Sequence, residues 1–225
     1  MRRFWKEVTT EDNGILLDGR PVRTPARALL TMPNAALVEA VAEEWRAVEK
    51  DVDPFAMPMT GFINAVIDRI STDPATFAAG IAEYAEGDVL CYRAAEPEPL
   101  VARQAAEWDP LLAWARERYD VAFEVVTGIM HRPQPEATRL RLAEAVAAFD
   151  PYRLAGLQPL VTISGSLVTS LALVEGVIDA ERAFAVTHLD ELWQAEMWGE
   201  DWMATDQRDL RRRDFVAAAR FVEML

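Results

Sequence analysis

The residues best suited to chemistry lie between Thr187 and Gln207, a stretch with six acids and no Lys or Arg. Three of the chain's seven tryptophans fall within it, between positions 193 and 202. Tryptophan is enriched at binding hot spots, and surrounding acids would select a basic partner. This composition is therefore compatible with a recognition surface, although most charged runs are simply solvated helix faces.

An enzymatic interpretation of the same stretch stays open at this point. Asp190 or Glu191 could work against Glu196 or Asp201 as a pair of carboxylates, as in glycoside hydrolysis. The alternative function is therefore a small-molecule hydrolase that uses paired carboxylates near Glu191. The spacing fits such an enzyme no better than it fits a surface helix.

Helical spacing predicts which of these side chains face outward. A helix over Asp179–Trp198 would have a core-facing stripe of Val186, Leu189, Trp193 and Met197. A second stripe beside it would contain Thr187, Glu191, Gln194 and Trp198, with Asp190 one turn from Gln194. An acid, amide and tryptophan face is thus predicted next to the core face.

Other catalytic groups are sparse. The chain has one Cys and two His, so no cluster with metal-ligand spacing is visible, and Cys91 is predicted to be a buried apolar residue. No phosphate-binding glycine loop is present, and neither a cofactor nor a metal is expected. Gly165 and Ser166 are predicted to permit close packing between helices.

Composition excludes several partners. The net charge of −14 would repel nucleic acid and anionic lipid, so neither DNA, RNA nor the membrane surface is expected as a partner. The longest apolar stretch, Leu157–Val174, is interrupted by Pro and small polar residues and suits a buried helix over Pro159–Glu175. No signal or transit peptide is expected.

The elements that must position these residues fall into two groups. Short strands at Trp5–Val8, Ile15–Leu17, Val22–Thr24 and Ala28–Thr31 are separated by Asn13-Gly14 and Asp18-Gly19, strong hairpin signals. After Pro33 the pattern becomes helical, with Asp73 predicted to cap a helix that starts at Pro74. Helices are also predicted at Thr60–Ile70, Pro97–Glu107, Asp109–Tyr119, Pro135–Phe149 and about Thr205–Met224, and residues 121–127 could be extended.

The predicted fold class is therefore α+β. A small β-rich N-terminal domain, an antiparallel meander plus one helix over residues 1–56, is followed by a larger all-α orthogonal bundle over residues 57–225. The break is placed near Asp53-Pro54 and Met57-Pro58.

Several phrases in one order resemble a known family. They are Phe4-Trp5-Lys6, Leu17 to Pro25, Glu44-Trp45, Asp88 to Arg93, Glu107 to Pro110, and Gln194 followed by Trp198-Gly199. Together they resemble the F-type ATP synthase assembly chaperone family that binds the alpha subunit, found in mitochondria and alphaproteobacteria. The resemblance spans nearly the whole chain.

The resemblance implies a two-domain chaperone and not an enzyme. It would bind the unassembled alpha subunit, shield the surface that faces the beta subunit, and be displaced by the beta subunit. It also implies functional importance for an acidic position at the start of the Gln-x-x-x-Trp-Gly stretch, here Asp190 with Glu191 beside it. The predicted client-binding residues are Asp190, Glu191, Gln194, Trp198 and Glu200.

Three further expectations accompany this one. The 21 Arg against two Lys suggest a GC-rich bacterial genome, so we expect a cytoplasmic protein whose relatives work in the mitochondrial matrix. A monomer is expected. A blander alternative to both chaperone and hydrolase is an interaction module for some other oligomer.

Overall fold

The fold was analysed in a computed structural model that describes residues 2–225. The chain begins with a three-stranded antiparallel sheet of β1 (Val8–Glu11), β2 (Gly14–Leu17) and β3 (Arg20–Pro21), in that order. Asp18 and Gly19 form the turn between β2 and β3, both with positive φ, as the hairpin signal predicted. The first hairpin turns at Asp12 and Asn13 instead, one residue earlier than predicted.

The rest of the chain is mostly helical. Its helices are α1 (Ala35–Ala47), α2 (Pro58–Asp68), α3 (Pro74–Ala82), α4 (Glu98–Tyr119), α5 (Glu136–Ala147), α6 (Pro151–Ser164), α7 (Leu167–Val174), α8 (Ala180–Thr187), α9 (Leu189–Trp198) and α10 (Trp202–Glu223). Two short strands, β4 (Tyr92–Arg93) and β5 (Val126–Thr127), pair in parallel. The predicted fold class, a small antiparallel sheet followed by a helical part, is confirmed.

Local chemistry explains several boundaries. The Asp73 carboxylate accepts the Thr76 amide, and Pro74 takes the first helical position, as predicted. Helix α4 runs unbroken through Pro110, so the predicted restart at Asp109 was wrong. Proline costs a helix one backbone hydrogen bond, which the packing of Trp108, Leu111 and Leu112 in the core offsets here.

Two predicted long helices are divided. The helix predicted over Pro159–Glu175 breaks at Gly165, which has φ 66° and ends α6, while the Ser166 hydroxyl accepts the Thr169 amide and caps α7. These two residues therefore separate α6 from α7, and their predicted role in close helix packing stays a prediction. The helix predicted over Asp179–Trp198 breaks at His188, whose ring stacks on Phe184 with centroids 3.9 Å apart.

The main core crosses from the sheet into the helices. Its largest cluster of buried residues includes Trp5 and Leu37 from the N-terminal part together with Leu157 and Phe221 from the helical part. Helices α6 and α10 approach so closely that a Cβ on Gly156 would lie 2.4 Å from Cγ2 of Val222. The domain boundary near residue 56 stays a prediction, and the apolar core is continuous across it.

Candidate functional site

The turn between α9 and α10 carries the most exposed tryptophans of the helical part. Met197, Trp198, Trp202 and Met203 are 59%, 79%, 72% and 54% exposed. We call these four side chains the tip patch. Large apolar side chains grouped on a surface typically mark an interaction site. Trp198 was predicted to lie beside the core face and is exposed, whereas Met197 was predicted to face the core and does not.

Helix α9 itself is hardly buried. Leu189 is its one buried residue, and Trp193, predicted to belong to the core stripe, is only partly covered. Val186 and Leu189 belong to a buried cluster, whereas the residues of α9 after Leu189 are partly covered or exposed. The predicted core stripe therefore holds for its first half only.

Arginines from distant positions hold the acids of α9. Arg103 of α4 donates two hydrogen bonds to Glu196, at 2.6 and 3.0 Å, and its guanidinium lies 5.9 Å from the Trp193 ring centroid. The hydrogen bonds from Arg103 lower the pKa of Glu196 below its usual value. At neutral pH this carboxylate is therefore ionised, and both of its oxygens are bound by Arg103.

A second network joins α9 to α10. Glu191 accepts a hydrogen bond from Arg211 at 2.6 Å and lies 3.8 Å from Arg208. Arg208, almost fully buried, also donates to Glu200 at 2.9 Å. A hydrogen bond from the Thr205 hydroxyl, and then the charge of Arg208, lower the pKa of Glu200. Two predicted client-binding acids are thus brought together by one arginine.

Asp190 is placed by a buried amide. Its Oδ1 accepts from Nε2 of Gln104, at 2.7 Å, and Gln104 is completely buried. The other end of that amide, Oε1, accepts the Ala94 backbone N–H at 2.8 Å. Asp190 is exposed beyond this contact, so it bridges the interior and the surface. Gln194 and Trp198 are exposed as well.

Sequence reasoning missed the arginines and half of the tip patch. Arg103 lies 93 residues from Glu196, and no local pattern reports such a pairing. Met197 and Met203 could have been found, because two methionines and two tryptophans interrupt a run of acids within seven residues. The three consecutive arginines at 211–213 pair with Glu191, Glu181 and Asp214.

The geometry does not favour acid–base catalysis at this site. A general acid needs a raised pKa at neutral pH, whereas Glu196, one of the candidate carboxylates, is held by Arg103, which lowers its pKa. Among the described residues no group of three or more His, Cys, Asp or Glu side chains could hold a metal ion. None of the helices described is both long and apolar enough to span a bilayer.

Known proteins resemble the chain at both the sequence and the structural level. The model of the ATP12 chaperone family matches residues 2–116. A mitochondrial atp12 protein of Schizosaccharomyces pombe is 26% identical over 94% of this chain and 79% of its own. The tip patch lies outside the part matched by the family model.

Solved structures extend the likeness to the whole fold. Atp12 of Paracoccus denitrificans is 40% identical and superposes with a TM-score of 0.92 over 99% of this chain and 97% of its own. A mutant of that protein with one aspartate replaced by lysine gives a TM-score of 0.91 at the same coverage. A protein of Agrobacterium tumefaciens is 41% identical, covers 99% of this chain, and also gives 0.92. The chain belongs to the ATP12 chaperone family, whose members assist ATP synthase assembly.

Proposed function

We propose that this protein binds the unassembled alpha subunit of the F-type ATP synthase without using ATP. It covers the surface that later faces the beta subunit and leaves when the beta subunit displaces it. Membership of the ATP12 family supports a partner among the ATP synthase subunits. The observation that carries the proposal is the tip patch, an exposed apolar group of four large side chains.

An unassembled ring subunit exposes apolar interface that promotes aggregation. A binding protein without nucleotide chemistry can protect such a surface only by mass action, so the complex must be reversible. A small apolar patch framed by polar groups suits reversible binding better than a large apolar face. Trp198 provides the anchor in this proposal, and Gln194 an adjacent hydrogen-bonding group.

The predicted client-binding acids take a more specific role. Glu191 and Glu200 share Arg208, and together they hold the α9–α10 turn in one shape. Asp190 keeps its second carboxylate oxygen for a basic group of the client, because Gln104 uses the first. We therefore propose that Asp190, Gln194 and Trp198 contact the client, whereas Glu191 and Glu200 act mainly by positioning them.

We further propose a bacterial cytoplasmic site of action and no enzymatic activity. The 40% identity to the Paracoccus protein supports the first point. The ion pair between Glu196 and Arg103 supports the second, because it lowers the pKa of a carboxylate that the hydrolase alternative would use. No observation favours an interaction module for a different oligomer.

The test uses light scattering of isolated alpha subunit at a temperature where it aggregates. Stoichiometric chaperone should suppress the scattering, and added beta subunit should release the chaperone in size-exclusion chromatography. Mg-ATP should change neither result. Unchanged scattering with wild-type chaperone would overturn the proposal, and so would a complex that excess beta subunit leaves intact.

A further inference from the structure

A second exposed apolar pair lies on the loop after β5. Ile129 and Met130 are 94% and 79% exposed, and Ile129 is the most exposed large apolar side chain among the described residues. The base of this loop is fixed on both sides. The Gly128 amide donates to the Arg93 carbonyl at 2.8 Å, and His131 lies 3.2 Å from the Tyr92 hydroxyl. The two side chains are thus presented from a held turn.

The chain from Val186 of α8 to Glu196 of α9 runs opposite to α4, as three contacts show. Arg103 pairs with Glu196, Gln104 binds Asp190, and the Trp108 indole donates to the Val186 carbonyl at 2.8 Å. As α4 advances, its partners move back along the chain. The N-terminal end of α4 therefore lies at the same end of the molecule as Trp198.

Strand β4 runs back along α4. The Ala94 amide binds Gln104, and Arg93 binds Asp109 at 2.8 Å, so the strand is antiparallel to the helix. Strand β5 is parallel to β4. It follows that β5 runs in the same direction as the chain from Val186 to Glu196, and Ile129-Met130 emerges toward the same end of the helical part as Met197-Trp198.

The segment that leads into α4 is acidic. Residues 95–99, which include the start of α4, are exposed and contain Glu96 and Glu98. Neither carboxylate takes part in an ion pair among residues 2–225, in contrast to Glu191, Glu196 and Glu200. Unpaired acids between apolar side chains complement a basic group with apolar neighbours.

We propose that the tip patch and Ile129-Met130 are two arms of one docking surface. Its occupant is a segment of the alpha subunit that carries a Lys or Arg between apolar side chains, and the basic group lies against Glu96 and Glu98. The inference rests on the proposed function and adds to it a second contact region and the chemistry of the bound segment. Two small arms also bind more tightly together than either does alone.

Binding is measured by titrating isolated alpha subunit into labelled chaperone. Ile129→Ser with Met130→Ser should weaken binding about tenfold or more, as expected for loss of a buried apolar anchor. Glu96→Lys with Glu98→Lys should weaken it to a similar degree through repulsion of the basic group. The matched controls lie in the N-terminal part of the chain. Phe55→Ser, at a position 82% exposed, is the control for the loop variant. Glu43→Lys with Glu49→Lys, at two exposed acids without an ion pair, is the control for the charge reversal.

Direct burial of the loop is measured with a thiol probe. Cys91 is fully buried, and burial raises the pKa of its thiol to about 12, so Ile129→Cys would be the reactive thiol of the chain. A polarity-sensitive dye at position 129 should shift to the blue when alpha subunit binds. The same dye in Phe55→Cys should not respond.

The outcomes separate the two proposals. Wild-type chaperone that binds no alpha subunit would overturn the proposed function. Wild-type binding that falls with Trp198→Ala but is unchanged in the loop variant, with a silent dye at position 129, would overturn the two-armed surface alone. Normal binding after reversal of Glu96 and Glu98 would overturn the assignment of a basic segment.

Discussion

Two short helices, α7 and α9, differ sharply in how many of their residues are buried. Seven of the eight residues of α7 are buried, whereas α9 buries one of its ten. Helix α7 is held by apolar packing and by the buried carboxylate of Asp88, which accepts the Val168 amide at 2.9 Å. Helix α9 is held by ion pairs at its edges. Apolar burial is therefore concentrated in α7, while α9 leaves most of its side chains partly or fully exposed.

The largest expected effect comes from matched truncations in the two helices. Leu171→Ala in α7 removes a fully buried side chain and should lower the free energy of unfolding by about 2–5 kcal/mol. Leu192→Ala in α9, at a partly covered position, should cost about 1 kcal/mol or less. Urea denaturation measures both values. Equal losses would contradict the contrast between the helices.

Protonation of Asp88 gives the second largest effect. Burial raises the pKa of this carboxyl from 3.8 to about 6, although amide hydrogen bonds act in the opposite direction. Between these pH values the folded state binds more protons than the unfolded state, so stability falls as pH rises. The contribution lost is about 3 kcal/mol at most.

The measurement for Asp88 is urea denaturation of the wild type and Asp88→Asn from pH 4 to pH 7. The difference in unfolding free energy between the two should fall across this window, because asparagine does not titrate. A difference that stays constant with pH would show that the carboxyl ionises at its ordinary pKa in the folded protein.

A charge reversal in α9 should have a smaller effect on stability. The sequence alone places Asp190 and Glu191 in a stretch without cations and suggests that reversing them leaves stability unchanged. The structure places Arg208 and Arg211 beside Glu191, so Glu191→Lys should cost about 1 kcal/mol through repulsion. Adding Arg211→Glu should restore part of the loss. Thermal unfolding of the single and double variants would contradict the pairing if their losses simply added.

The smallest effect on the free energy of unfolding is expected for Trp198→Ala, which should nevertheless weaken binding strongly. Trp198→Ala should change the unfolding free energy by no more than about 0.5 kcal/mol, because the side chain is exposed. The same change should weaken binding of alpha subunit about tenfold or more. Calorimetric unfolding and binding titration on one preparation test both statements, and a destabilised variant with normal binding would reverse the comparison.

Prediction from the sequence succeeded where local chemistry decides the structure. Asp18-Gly19 forms a hairpin turn and Asp73-Pro74 starts a helix, and both conformations follow from the residue types alone. Burial of Cys91 was also predicted correctly. The break at Gly165 was available as a glycine end followed by a serine cap, but the apolar periodicity around it concealed the signal.

Prediction failed where distant parts of the chain meet. The residues around His188 include neither glycine nor proline, so the sequence does not indicate the break between α8 and α9. The partners of Glu191 and Glu196 come from α10 and α4, and local patterns cannot report them. For the same reason, the sequence could not show that Ile129-Met130 and Met197-Trp198 lie toward the same end of the helical part. That placement follows from the contacts among β4, β5, α4 and α9.

The Asn34 side chain has a consequence for the order of events during synthesis. Its Oδ1 accepts the Leu37 amide and starts α1, while its Nδ2 donates to the Met224 carbonyl, a partner 190 residues later. Met224 is synthesised 190 residues after Asn34, so this bond cannot form until that later part of the chain has left the ribosome. A nascent chain stalled before Met224 lacks this bond and should be more sensitive to protease at α1.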